Sequence, residues 1–193
     1  MKLVHAVKER SYFVGFGMGA GKMILAVLSR SWLLFIHAVY SVIKASAMYF
    51  ALGEHEGRCN TMFYSGLLIM AASAVYLVYS IWIYFFGSSA SYHMVISIGI
   101  AAVTTYELIA AIYGLKRAKK KKDVKLETVK YINLASALVS VSLTQTAILS
   151  FAGKGDMSKA YAIGDAVFGF LALLVGAAML FRAGRLEKKQ ACQ

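Results

Sequence analysis

Five blocks of this chain are apolar over about the length a helix needs to cross a bilayer: 31–52, 61–86, 92–115, 131–151 and 161–181. The hydrocarbon core of a membrane is about 30 Å thick and a helix rises about 1.5 Å per residue, so about 20 such residues suffice. Inside lipid, backbone N–H and C=O groups have no partners except one another. An open sheet would leave its edge groups unbonded there, and these blocks are too long and continuous for the strands of a barrel. The fold class that follows is all-α: a polytopic transmembrane helix bundle with five spans. Composition agrees, since 60% of the 193 residues are hydrophobic, against about 45–50% in soluble domains. A soluble fold of this size would be left with large exposed apolar patches.

The breaks between blocks are short (53–60, 87–91, 116–130 and 152–160). Consecutive helices are therefore expected to pack as antiparallel neighbours. The sequence contains no proline. That favours straight helices and lowers the expectation of a transporter, because many transporters interrupt their helices with Pro or Gly to build substrate sites. The N-terminal segment 1–30 is basic and glycine-rich. Its stretch 11–29 is apolar but carries Lys22 and Gly15, Gly17, Gly19 and Gly21, which reads either as an interfacial helix or as a weak sixth span. The glycine run is not a phosphate loop, because Phe16 stands where the first glycine belongs and Met23 where a Ser or Thr belongs.

The formal net charge is +12, and the basic residues gather between the apolar blocks and at the ends. That placement suits loops facing anionic lipid headgroups and argues against a nucleic-acid groove. Segment 116–130 carries Lys116, Arg117, Lys119, Lys120, Lys121, Lys122, Lys125 and Lys130, and the tail 182–193 carries Arg182, Arg185, Lys188 and Lys189. Positively charged segments stay on the cytoplasmic side. Two blocks separate these two segments, so both, and with them the C-terminus, are expected at the cytoplasmic face of a plasma membrane. Trp32, Tyr64, Tyr84, Tyr92, Tyr113, Tyr131 and Tyr161 lie near block ends, where amphipathic rings favour the headgroup level.

Ionisable groups inside the blocks are the strongest pointers to a site. Each costs about 2.5–3.5 kcal/mol at a span centre and is retained facing protein or water. Lys44 and Glu107 fall at matching depths of two helices that run the same way, and are expected to be buried partners. His37, Gln145 and Asp165 fall in the other half of the membrane. Asn133, Ser136, Ser140 and Thr144 recur at three- and four-residue spacing beside Gln145. Such a polar stripe either seals a seam between helices or lines a small pathway, and both readings remain open. Gly169, Ala172 and Gly176 form a small-residue face on the last block, a signal for close packing.

No catalytic set emerges. Cys59 and Cys192 make no CxxC pair, and Glu54, His55, Glu56 and Cys59 share one loop without a second ligand cluster. No metal, cofactor or enzymatic activity is expected.

The run Asn133-Leu-Ala-Ser-Ala-Leu-Val-Ser-Val-Ser-Leu-Thr-Gln-Thr-Ala-Ile-Leu149, after a lysine-rich segment, resembles small polytopic membrane proteins of Gram-positive bacteria that carry no assigned function. The resemblance implies a bacterial plasma membrane and no particular activity or site residues. The expected function is that of an accessory, scaffold or regulatory membrane component, packing with copies of itself or with another membrane protein. The alternative is a small transporter or channel subunit that uses Lys44, Glu107 and the polar face of 131–151.

Overall fold

The structure, a computed structural model, describes residues 23, 24, 27, 32–52, 58–87, 94–121, 123–152 and 157–191. They form five long α-helices: α1 (Trp32–Leu52), α2 (Arg58–Phe86), α3 (Met94–Lys121), α4 (Val124–Ala152) and α5 (Ser158–Ala191). No strand occurs among the described residues. Four helices contain a segment long and apolar enough to cross a membrane: Phe35–Leu52 in α1, Asn60–Phe86 in α2, Val124–Leu149 in α4 and Ser158–Leu186 in α5. Most of segment 11–29, and with it the question of a sixth span, lies outside the described residues.

Four of the helices close on one another. α2 packs most extensively on α5, α4 packs on α5, and α1 packs on both α2 and α4. The two diagonal helices α2 and α4 also touch, while α3, among the described residues, lies against α4 alone. The expectation that every consecutive pair would pack fails at α2 and α3, which share no contact among the described residues. Small residues explain why α2 prefers α5. A Cβ on Gly176 would stand 3.1 Å from the backbone nitrogen of Met70, one on Gly66 would stand 3.0 Å from the Cβ of Met179, and one on Gly169 would stand 3.0 Å from Cδ1 of Tyr76. Bulk is missing from both sides of this seam, so the two backbones approach closely. Gly169, Ala172 and Gly176 thus form a packing face as the sequence suggests, and Gly66 is its counterpart on α2.

Local chemistry sets the helix ends. Gly87 adopts φ 72° just past α2 and donates its N–H to the Ile83 carbonyl at 2.8 Å, a left-handed cap that glycine adopts without steric cost. Asp123 precedes α4, and its Oδ1 accepts the N–H of Lys125 at 3.0 Å and of Leu126 at 3.2 Å. These are two of the donors that a helix start leaves unbonded. Asp123→Ala is expected to lower stability by about 1 kcal/mol, read as an earlier unfolding transition of the detergent-solubilised protein.

Three helices run well past their apolar blocks. α3 continues to Lys121, α4 starts at Val124 and α5 reaches Ala191. The stretches 116–130 and 182–193, which sequence divides off as a loop and a tail, are therefore mostly helical. Lys, Arg, Glu, Leu and Ala are good helix formers, and hydropathy marks where lipid would end rather than where a helix ends. The aromatic belt also needs amending. Tyr64, Tyr84 and Tyr113 are exposed on the helix surfaces, but Tyr131 and Tyr161 are buried within the bundle.

Candidate functional site

Most of the interior is apolar, built around Met62, Ile69, Ile132, Val139 and Met179. One layer departs from this pattern. Each of the four bundle helices contributes one polar side chain to it: His37 from α1, Tyr76 from α2, Ser142 from α4 and Asp165 from α5. Their exposures are 3%, 0%, 0% and 1%, so all four are cut off from the surroundings. The Tyr76 hydroxyl lies 3.4 Å from His37 Nε2 and donates to Ser142 Oγ at 3.0 Å. Ser142 Oγ in turn donates to Asp165 Oδ1. The His37 and Tyr76 rings meet edge to face, with centroids 5.4 Å apart. The Tyr76 hydroxyl, with one proton to give, is within reach of the Asp165 carboxylate as well as of Ser142. When it donates to Ser142, Asp165 Oδ2 accepts no hydrogen bond among the described residues.

The fold places these groups by close backbone approach. Gly169 on α5 sits against the Tyr76 ring, which a side chain at that position would displace. One turn along α2, Ser80 Oγ donates to the Tyr76 carbonyl at 2.9 Å. Leaving so many polar atoms dry and unpaired would cost several kcal/mol in total, so the layer holds together as a set of mutual hydrogen bonds.

Of the residues that sequence reasoning selects, His37 and Asp165 are brought together in this layer. Gln145 lies one turn away from it: its Nε2 donates to the Ala160 carbonyl at 3.4 Å, and its amide presses on Gly164, where a Cβ would collide with it. The stripe on α4 divides. Thr144 hydrogen-bonds the Thr104 hydroxyl of α3 and also donates to the Ser140 carbonyl at 3.3 Å. Ser142, two residues earlier and so about 200° around the helix, points into the bundle instead. Ser136 is buried, while Asn133 and Ser140 are half-buried. At its Thr144 end the stripe is thus a seam with α3.

Lys44 is half-buried on α1. The Glu107 side chain lies outside the described residues, and the pairing of Lys44 with Glu107 lies outside them too. The helices that carry the two residues, α1 and α3, share no contact among the described residues. Of the basic run, Lys116 is exposed, and the Lys130 side chain lies over Gly114 of α3. Lys122 and the side chains of Arg117, Lys119, Lys120 and Lys121 lie outside the described residues.

A second polar contact joins α4 and α5 at the opposite, basic end of the bundle. Arg182 Nε stands 2.6 Å from Glu127 Oε1, and Nη2 donates to Oε2 at 2.8 Å. The contact is an ion pair closed by one charge-assisted hydrogen bond. The Glu127 side chain is 1% exposed and that of Arg182 44% exposed.

Sequence reasoning misses Tyr76, Ser142 and the Glu127–Arg182 pair. A signal for Tyr76 does exist. It lies near the middle of its apolar block, away from the headgroup level where membrane tyrosines gather, so its hydroxyl needs a partner inside the protein. Ser142 carries no comparable mark among the many small hydroxyls of α4.

Fold and site together define the class: an all-helical bundle, four of whose helices are long and apolar enough to cross a membrane, carrying a buried polar layer in one half and basic helix extensions at the end of the other. No family model matches the chain, and no curated protein matches it. Among the described residues no group of three or more His, Cys, Asp and Glu side chains comes together to hold a metal ion.

Proposed function

We propose that this chain is an integral protein of a bacterial plasma membrane, with α1 to α5 all spanning, that serves as a non-enzymatic accessory or regulatory component for another membrane protein. The observation that carries this reading is the length and charge of the helices at one end. α5 has 34 residues and α4 has 29, about 51 Å and 43 Å of helix, against a hydrocarbon core of about 30 Å. The excess falls at the ends bearing Lys116, Lys125, Arg182 and Arg185, so a basic helical platform would project beyond the lipid. Positive charge of this kind belongs on the cytoplasmic side, which also sets the C-terminus there. Each basic residue near anionic headgroups contributes about 1 kcal/mol of attraction, and the same platform suits an acidic surface of a partner. α3, at 28 residues, is long enough to be the fifth span, with its open side facing lipid or that partner.

The test is native electrophoresis of mildly solubilised membranes, paired with flux measurements on proteoliposomes of the purified chain. An accessory component migrates in a larger complex and leaves ion gradients intact. A chain that migrates alone and dissipates a gradient is instead a small transporter or channel subunit. The buried polar layer is the observation that favours this second reading.

A further inference from the structure

We propose that the layer His37–Tyr76–Ser142–Asp165 is a proton-binding site, in which one exchangeable proton is shared between the imidazole and the carboxylate through the two hydroxyls. The inference rests on the chain being embedded in lipid and holds whether the bundle serves a partner or moves a solute.

The geometry supplies an unbroken path. Reading from α1 to α5, His37 Nε2 faces the Tyr76 hydroxyl, Tyr76 donates to Ser142, and Ser142 donates to Asp165 Oδ1. Both hydroxyls are donor and acceptor at once, so every bond in the path can be reversed. Transfer balances without any other reactant. The Nε2 proton of a protonated His37 passes to the Tyr76 oxygen, the Tyr76 proton passes to Ser142, and the Ser142 proton passes to Asp165 Oδ1. Imidazolium and carboxylate become neutral imidazole and carboxylic acid, the two hydroxyls end re-formed and pointing the other way, and the layer's total charge is unchanged. Gain or loss of one proton from outside does change that charge. In a dry interior such a change alters the stability of any arrangement of the four helices.

The surroundings are consistent with a site for a proton rather than a larger ion. The groups on Asp165 among the described residues are the Ser142 and Tyr76 hydroxyls. The titratable groups nearest to it along these helices are Tyr79, one turn along α2, Tyr40, one turn along α1 from His37, Tyr161, one turn before Asp165 on α5, and Lys44, two turns along α1 from His37 and about 10 Å distant along that helix. Each of the four bundle helices holds one member of the layer. Moving the proton therefore bears on the packing of the whole bundle and not on one helix alone.

The decisive experiment follows His37 and Asp165 through a pH titration of the full chain in lipid nanodiscs, using imidazole nitrogen resonances (assigned with His37→Gln) and the carboxylic C=O infrared band (assigned with Asp165→Asn). The expected result is that both signals move over the same pH interval. Tyr76→Phe, which keeps the ring but removes the hydroxyl, then separates them into two independent titrations, whereas Ser142→Ala, which leaves Tyr76 within reach of Asp165, moves the shared interval without abolishing the coupling. If Asp165→Asn fails to assemble, these two hydroxyl variants still decide the matter, because both retain the carboxylate and the imidazole. Independent titrations in the unmodified protein, or a His37 titration unmoved by Tyr76→Phe and Ser142→Ala, would overturn the proposal.

Discussion

Gly176→Leu is expected to prevent the α2–α5 pair from closing, with loss of the folded bundle in detergent. The reason lies in what surrounds the missing side chain. A Cβ at position 176 meets the N, Cα and Cβ atoms of Met70 at 3.1 to 3.2 Å. Two of these are backbone atoms, which cannot swing aside as the end of a side chain can. A full isobutyl group would push the two helices apart along the most extensive seam in the molecule. Overpacking a well-filled interior costs about 1–3 kcal/mol, and here the separation also disturbs Tyr76, which rests on the same seam beside Gly169. Gly184→Ala is the control, since a Cβ there meets nothing within 4 Å. Thermal unfolding followed by circular dichroism should show a large drop in midpoint for Gly176→Leu and almost none for Gly184→Ala. Equal midpoints would mean that the close approach of α2 and α5 is not what holds the bundle.

The second large effect is asymmetric. Arg182→Ala should cost about 2–3 kcal/mol, and Glu127→Gln distinctly less. Removing one partner of a buried pair costs about 3–5 kcal/mol because an uncompensated charge is left in a poor solvent. The figure is discounted here because Arg182 is partly in contact with the surroundings. The charge stranded by Arg182→Ala is that of Glu127, whose side chain is 1% exposed, whereas Glu127→Gln strands an Arg182 side chain that is 44% exposed. Combining both substitutions should restore part of the stability lost in Arg182→Ala alone. Denaturation of the single and double variants measures this. Equal single losses that simply add would show that the contact does not couple α4 to α5.

The helices were legible in the sequence because the physics of lipid leaves few choices. The apolar blocks 31–52 and 61–86 coincide closely with α1 and α2, since a break such as Gly87 is both a polarity change and a cap. The basic ends were less legible. Glu127 and Arg182 sit in stretches that hydropathy divides off as loop and tail, and nothing in their spacing announces that α4 and α5 continue until the two residues meet. The polar layer was half legible. His37 and Asp165 stand out because charge-capable groups are costly inside an apolar block. Which partner satisfies each of them depends on how the helices pack, and that packing is set by Gly66, Gly169 and Gly176 through the absence of atoms. The partnering of α2 with α5 across two intervening helices leaves no trace in local sequence. The Thr144 end of the stripe meets Thr104 of α3, a neighbour that only the three-dimensional packing reveals.

The central claim is that the apolar surfaces of these helices are solvated by acyl chains, and protection by lipid tests it most directly. With Cys59 and Cys192 replaced by serine, single cysteines placed at the exposed positions Val78 and Val167, on the outward surfaces of α2 and α5, would be treated with a water-soluble maleimide in intact membranes, with Lys116→Cys on the basic platform as the accessible reference. The account predicts rapid labelling at 116 once the cytoplasmic side is opened and none at 78 or 167 until detergent and denaturant are added. Prompt labelling of all three positions would contradict it, as would recovery of the chain as a monodisperse species in buffer without detergent.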